Sequence, residues 1–224
     1  MQVRPRTTPR RTPPEFPNLT EENSLVARGF RRIAGIDEAG RGSWAGPLVA
    51  AAVCLPDPEE DLLQLLEGVR DSKQLTPGRR AELYGRILEH AVDVGVGVVS
   101  PATIDRIGLA GSGALAMLWA VEDLVCGPDC LLIDAFTLRD CRLPQRAIIR
   151  GDVISLSIAA ASIIAKVTRD QMMRAADGLF PGYGFHLNKG YGTELHRRAL
   201  DEKGPCDYHR RSFHPIKSEW GLLL

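Results

Sequence analysis

An α/β domain with a mixed sheet is the fold class that the sequence predicts, on three observations. Three β-patterned runs follow one another early in the core, later strand-like runs alternate with helical stretches, and two of the strands end in acidic residues. Sites in sheets of this class form beyond the carboxyl ends of the strands.

Residues 1–28 hold five Pro and little that could be buried, and residues 1–32 carry seven Arg against three Glu. Such a segment cannot offset its own ordering entropy and is expected to be disordered at least to about Pro17. It reads equally well as a basic arm attracted to phosphate and as a solubilising extension, and less well as an organelle transit peptide. Residues 29–224 read as one domain, with residues from about 178 onward as a small C-terminal helical extension.

The core opens with a β-favouring strand, Arg32 to Ile36, which delivers Asp37 and Glu38 onto a turn made permissive by Gly40, Gly42 and Gly46. A second strand near Leu48 to Leu55 is stopped by Pro56, Asp57 and Pro58. A short helix at Glu59 to Glu67 and the loop Asp71 to Pro77 come next. An amphipathic helix from about Gly78 to Ala91 follows, with Leu83, Ile87 and Leu88 on one face. Val92 to Val99 alternates Val with Gly or Asp and reads as a third strand, its glycines marking close backbone approach or a bulge. Pro101 to Ile107 is expected as a short helix, Ala114 to Val125 as a longer apolar one, and Leu131 to Asp134 as a buried strand ending in an acid. Ala147 to Ile149 reads as a further strand, followed by Gly151 and Asp152. Val153 to about Asp177 reads as a long helix whose small residues allow close packing on a sheet. Pro181 to Thr193 is a loop rich in glycine and aromatics, and Glu194 to Glu202 a helix.

Composition narrows the functional classes. Lys plus Arg and Asp plus Glu number 28 each, yet residues 137–217 carry fourteen Lys or Arg against eight acids, with four of the five His. A basic second half beside an acid-marked first half suits a metal-dependent enzyme acting on a polyanion. The five Cys are odd in number and mostly in apolar contexts, which points to reduced thiols in a cytoplasmic protein. Cys126 and Cys130 lack a second Cys/His pair with ligand spacing, so zinc is not expected. No run reaches the roughly 18 apolar residues that span a bilayer, and no secretory signal is visible, so no membrane partner is expected.

Asp37, Glu38, Asp134 and Asp152 carry the chemistry. If the first and fourth strands are parallel neighbours, these acids surround a small volume, where like charges need cations. An all-oxygen donor set favours Mg²⁺ or Mn²⁺, and a pair of such ions suits in-line displacement at phosphorus. Lys73, Lys166, Arg169 and Lys189 are candidates for phosphate contacts, and Tyr183, Phe185 and Tyr191 for stacking on a sugar or base. The plainer reading beside it is a β-turn whose Asp caps amides and whose Glu is solvated.

IAGIDEAGRG, AGPLVAAAV, DSKQLT, LLIDA, GDVISLSIAAASIIAKVTRD, PGYGFHLNKGYGTELH and HRRSF resemble, in order, the successive motifs of the ribonuclease HII (type 2 ribonuclease H) family over roughly Arg32 to Phe213. The resemblance implies a ribonuclease H-like mixed sheet flanked by helices. It implies an endonuclease that cuts the RNA strand of RNA/DNA hybrids and incises 5′ of single ribonucleotides in duplex DNA, leaving 5′-phosphate and 3′-hydroxyl ends. By motif, Asp37, Glu38, Asp134 and Asp152 match the metal-binding acids, with Asp37 shared by two ions of Mg²⁺ or Mn²⁺. Gly40, Arg41 and Gly42 match the segment that reads the ribose 2′-hydroxyl, and Tyr191 the ring beneath the following deoxyribose. Nucleic acid is the expected partner of a monomer, and no replication clamp is indicated. Ser43, Trp44, Ala135 and the stretch Gly108 to Gly113 depart from the common pattern, leaving Trp44 either lining the groove or packed. The alternative is a catalytically silent hybrid-binding module of the same fold.

Overall fold

The computed structural model describes residues 14–57 and 60–220. A five-stranded sheet runs in the order β3-β2-β1-β4-β5. β1 (Ile33–Ala39), β2 (Leu48–Cys54) and β3 (Asp93–Val99) form an antiparallel meander, and β4 (Cys130–Asp134) and β5 (Gln145–Ile148) add to β1 in parallel. The parallel pairing of the first and fourth strands is therefore present.

Both faces of the sheet are covered. α3 (Pro77–His90) and α5 (Leu156–Leu179) share one core with Ala51 and Val53 of β2, and α4 (Pro101–Glu122) shares the other with Leu48, Ala50 and Ala52. This is why β2 reads as an unbroken apolar run: alternate side chains enter opposite cores, and every residue of the strand is buried. Side-chain hydroxyls of Thr76, Ser100 and Ser155 accept from backbone amides at the starts of α3, α4 and α5. Glycine supplies the closest approaches. A Cβ at Gly35 would overlap the Ser157 main chain, and one at Gly95 or Gly97 would overlap carbonyls of α4. α4 is apolar and long enough by composition to match a bilayer, yet its Ile104, Ala116, Met117 and Ala120 are buried in the core over β2 and β3.

Several expectations are corrected. β1 continues through Asp37 and Glu38, which pair with Ala51 and Ala50, so the acids lie in the strand rather than on the turn. The two helices expected between Pro101 and Val125 are one element bent at Gly108, whose φ of 75° interrupts the helix. Residues 18–28 are not tail. α1 (Thr20–Val26) buries Leu25, and Glu22 Oε1 accepts from Ser155 Oγ (2.6 Å), Ser157 N (3.0 Å) and Ser157 Oγ (2.7 Å) at the start of α5. Few apolar residues suffice here because one carboxylate oxygen meets an amide that the helix end leaves free and two serine hydroxyls beside it. The disorder expected for residues 1–13 falls outside the described residues.

The C-terminal extension comprises α6 (Phe185–Asn188), α7 (Glu194–Lys203) and α8 (Ile216–Glu219). It has its own core, in which Tyr183, Phe185, Leu200 and Ile216 meet Ala45, Met173 and Ala176. Ala45 follows β1, so the extension is built against the start of the site.

Gly35→Ala is expected to destabilise the domain by about 3 kcal/mol, because the obstructing atoms are main chain and cannot move aside. Gly85→Ala, in the exposed interior of α3 with open space around it, should stabilise by roughly 0.5–1 kcal/mol. Urea unfolding of the two variants measures both, and an unaffected Gly35→Ala contradicts the packing described.

Candidate active site

The parallel register places Ile36 beside Ile133, so the next residues, Asp37 and Asp134, come side by side on neighbouring strands. Asp152 lies in the single turn Gly151–Val153 that precedes α5, and the Gly151 amide donates to Asp134 Oδ1 at 2.7 Å. Asp37, Glu38 and Asp134 line a cleft of about 480 Å³ together with Lys73, Lys166 and Tyr191. Asp152 does not line it, but the charge of Asp134 is felt there.

Burial, then Glu38 and Asp134, holds the Asp37 carboxyl well above the usual range. Burial also raises Glu38, against the opposing pull of Arg41, and burial with Asp71 and Asp134 raises Asp152. Lys73 is the counterweight: burial works against its charge, but Asp71, Asp37, Asp152 and Asp134 together raise its pKa. Glu38 Oε2 is buried with no hydrogen-bond partner. Among the described residues, no three His, Cys, Asp or Glu side chains form a ready-made cation cage. An unpartnered carboxylate oxygen beside acids that resist ionisation is nevertheless a donor set that a hard divalent cation would relieve, and it contains no sulfur or imidazole.

Two buried arginines shape the turn beyond β1. Arg169 donates to Pro47 O (2.9 Å), Ala45 O (3.0 Å), Ser43 Oγ (2.7 Å) and Lys189 O (2.9 Å). Arg210 donates to Gly46 O, Pro47 O and Arg41 O, each at 3.0 Å. Gly40 has φ of 96° and lies against the Arg169 side chain, where a Cβ would not fit. The Gly40 to Gly42 backbone is thus held at the cleft by guanidinium groups from α5 and from the extension. Arg41 extends over the Phe136 ring and lies 3.3 Å from Glu38 Oε1.

The family model described as Ribonuclease HII matches residues 34–216. The chain belongs to the ribonuclease HII family. It is 55% identical over 201 residues to the ribonuclease HII of Chloroflexus aurantiacus, covering 90% of this chain and 95% of that one. Among solved structures it is similar to ribonuclease H2 from Pyrococcus horikoshii OT3, with a TM-score of 0.69 and 27% identity over 84% of this chain and 96% of that one. It is also similar to the ribonuclease HII solved in complex with PCNA from Archaeoglobus fulgidus, with a TM-score of 0.64 and 30% identity over 80% and 93% of the two chains. The fold is ribonuclease H-like and the activity is that of a ribonuclease H, an endonuclease.

The sequence-predicted substrate residues divide on this fold. Gly40, Arg41, Gly42, Lys73, Lys166 and Tyr191 all line the cleft, with Lys166 bonded to Asp170 at 2.7 Å and 5.3 Å from the Tyr191 ring centre. Arg169 does not contact phosphate: it is wholly buried and its donors are taken by carbonyls and a hydroxyl, so its expected role is corrected to holding the turn. Lys189 lies outside the cleft lining, half-buried, with one of its ammonium donors on the His186 carbonyl. Tyr183 and Phe185 are buried in the extension rather than free to stack. Trp44 is packed, against Gly192 and the His196 ring (centroids 5.6 Å apart). Arg210 and Phe136 were not singled out; the HRRSF motif was a signal for the first, and nothing in the sequence marks the second.

The raised pKa of Asp37 sets the sign of a stability effect. Its contribution is favourable while protonated and is lost as pH rises through the folded-state value. In chelator, Asp37→Asn should therefore melt higher than the parent at about pH 8, by about 3 °C for each kcal/mol relieved, and the gap should shrink toward about pH 5. Divalent cation should stabilise the parent and not the variant. Calorimetry across pH checks both, and a variant that melts lower at about pH 8 contradicts the electrostatics.

Proposed function

We propose that this chain hydrolyses the RNA strand of RNA/DNA hybrids and incises duplex DNA on the 5′ side of a single embedded ribonucleotide, leaving 3′-hydroxyl and 5′-phosphate ends. The observation that carries the reading is one cleft joining buried acids, a glycine turn braced from below and the ring of Tyr191. Asp37, Glu38, Asp134 and Asp152 would hold two divalent cations, Mg²⁺ or Mn²⁺, which when bound favour ionisation of an attacking water and stabilise the departing oxygen. Lys73, Lys166 and Arg41 bring positive charge to the path of the phosphates.

Discrimination comes from the chain's own main chain and ring. A 2′-hydroxyl is both donor and acceptor, and backbone groups at Gly40 to Gly42 can meet it because no Cβ intervenes at the two glycines. A flat ring at Tyr191 accommodates a deoxyribose and crowds an added hydroxyl. Together they read a junction rather than a base sequence. A monomer in the reducing cytoplasm fits the free thiols of all five Cys, and the archaeal complex with PCNA makes a replication clamp the protein partner to test first.

The test is a duplex carrying one ribonucleotide, incubated with Mg²⁺ or Mn²⁺ and with chelator. Cutting is expected only with the metal, 5′ of the ribonucleotide. Asp134→Asn should slow it by about a thousandfold, equivalent to about 4 kcal/mol of barrier, with duplex affinity nearly unchanged because binding rests on phosphate contacts. Tyr191→Ala should slow junction cleavage far more than it shifts the metal requirement. Products ending in 3′-phosphate, or cutting that survives chelation, overturn the reading.

A further inference from the structure

Two buried histidines stand end to end next to the Tyr191 segment. Their Nε2 atoms lie 3.0 Å apart, His196 from α7 and His209 from the loop beyond it. His196 Nδ1 lies 3.0 Å from the Tyr191 carbonyl oxygen, and the Cys206 amide donates to His209 Nδ1 at 3.0 Å. A carbonyl only accepts and an amide N–H only donates; the Cys206 carbonyl also lies 3.3 Å from His209 Nδ1, but it already accepts from the His209 amide at 3.0 Å, so the Cys206 N–H sets the direction at that end. His196 must carry its proton on Nδ1 and accept at Nε2. His209 must carry its proton on Nε2 and accept at Nδ1. One neutral tautomer of each ring satisfies the bonds to the Tyr191 carbonyl, between the two Nε2 atoms and from the Cys206 amide, and a further proton on either sets two donors against each other.

The surroundings hold this state. Phe185 meets His196 edge-on at 5.5 Å between centroids, and Tyr183 meets His209 at 4.9 Å. Cys206, Tyr183 and Arg211 are the titratable or charged groups that face the pair, and among the described residues no carboxylate bonds either ring. Burial, then His196, presses His209 down to about 4, and burial lowers His196 as well. The same His196 ring supports Trp44, whose amide donates to Gly190 O at 2.8 Å. Trp44, which follows the glycine turn, and the Tyr191 carbonyl therefore both contact one imidazole.

We propose that His196 and His209 are positioning residues: a neutral relay of fixed tautomer that sets the main chain of Tyr191 and so the ring that meets the sugar after the ribonucleotide. The inference rests on the reading of Tyr191 given under the proposed function. His209 lines no part of the cleft, so its effect must pass through His196.

Two measurements on the full chain test it. Nitrogen-resolved imidazole NMR of the parent at about pH 7 should show His196 protonated at Nδ1 only and His209 at Nε2 only; the opposite tautomer or a charged ring in either overturns the relay. Single-turnover cleavage of the one-ribonucleotide duplex should fall at least about tenfold in His209→Leu, as a displaced reacting geometry would cause. His209→Gln, whose amide can donate in place of Nε2–H, should stay within about threefold of the parent. Duplex affinity and the metal midpoint should not move. The double variant His209→Leu/Tyr191→Ala should be no slower than Tyr191→Ala. Multiplying losses, or equal losses in the Leu and Gln variants, overturn the inference. Parent-like cleavage by Tyr191→Ala overturns the reading of Tyr191 and the positioning role with it, whereas an impaired Tyr191→Ala beside a parent-like His209→Leu overturns the relay alone. Should His209→Leu not fold, His196→Leu and His196→Asn decide in its place: a loss of at least about tenfold in the Leu variant beside a clearly smaller loss in the Asn variant, which keeps an amide donor for the Tyr191 carbonyl, supports the inference, and equal rates in the two oppose it.

Discussion

The parallel pairing of β1 with β4 is the contact on which the site depends. Ile33 to Ile36 run beside Cys130 to Ile133, and only this direction brings Asp37 and Asp134 side by side. An antiparallel pairing would separate them by the length of a strand, and a shift of one residue would turn each side chain to the other face. The pairing is held against the repulsion of its own products. Ala34, Ile36, Leu131, Leu132 and Ile133 are fully buried, and Gly35 lets the main chain of α5 lie directly on the strand. Apolar burial of about 25 cal/mol per Å² along these strands outweighs the few kcal/mol that crowded carboxylates cost.

The turn after β1 follows a second constraint. Arg169 and Arg210 are fully buried and satisfied by neutral acceptors, with Asp170 and Asp105 acting on them only from a distance and no carboxylate bonded to either among the described residues. Burial, then Arg169, brings Arg210 down to about 9. Two such groups side by side are costly, and they are retained where they fix the carbonyls of Arg41, Ala45, Gly46 and Pro47. A turn held by its own carbonyls, with the Trp44, Ala45 and Gly46 amides bonded to the extension, keeps Gly40 to Gly42 at the cleft in one conformation. The C-terminal extension is part of this arrangement, because Arg210, the Lys189 carbonyl and the His196 ring all belong to it.

Much of this was legible along the chain. Apolar runs, glycine spacing and proline stops predicted most of the strands and helices, and acids at strand ends marked the edge where the cleft forms. The errors share a cause. Arg169 read as a phosphate ligand because a basic residue's sequence context does not show whether carbonyls have already taken its donors. Residues 18–28 read as tail because their stability comes from Leu25 in a distant core and from Glu22 at the start of α5, neither of which is a local pattern. Gly108 read as a break between helices, whereas burial on both sides of it carries one bent element across the sheet.

The sequence by itself determined the class of fold, the order of its elements and the oxygen-only chemistry of Asp37, Glu38, Asp134 and Asp152, because periodicity and side-chain type are local properties. Tertiary structure alone decided which basic groups face the cleft, which arginines became struts, and that His196 and His209 meet at 3.0 Å. Those outcomes depend on which donor finds which acceptor between separate elements, 13 residues apart for the two histidines and 169 for Arg210 and Arg41, and no spacing within a single segment encodes that choice.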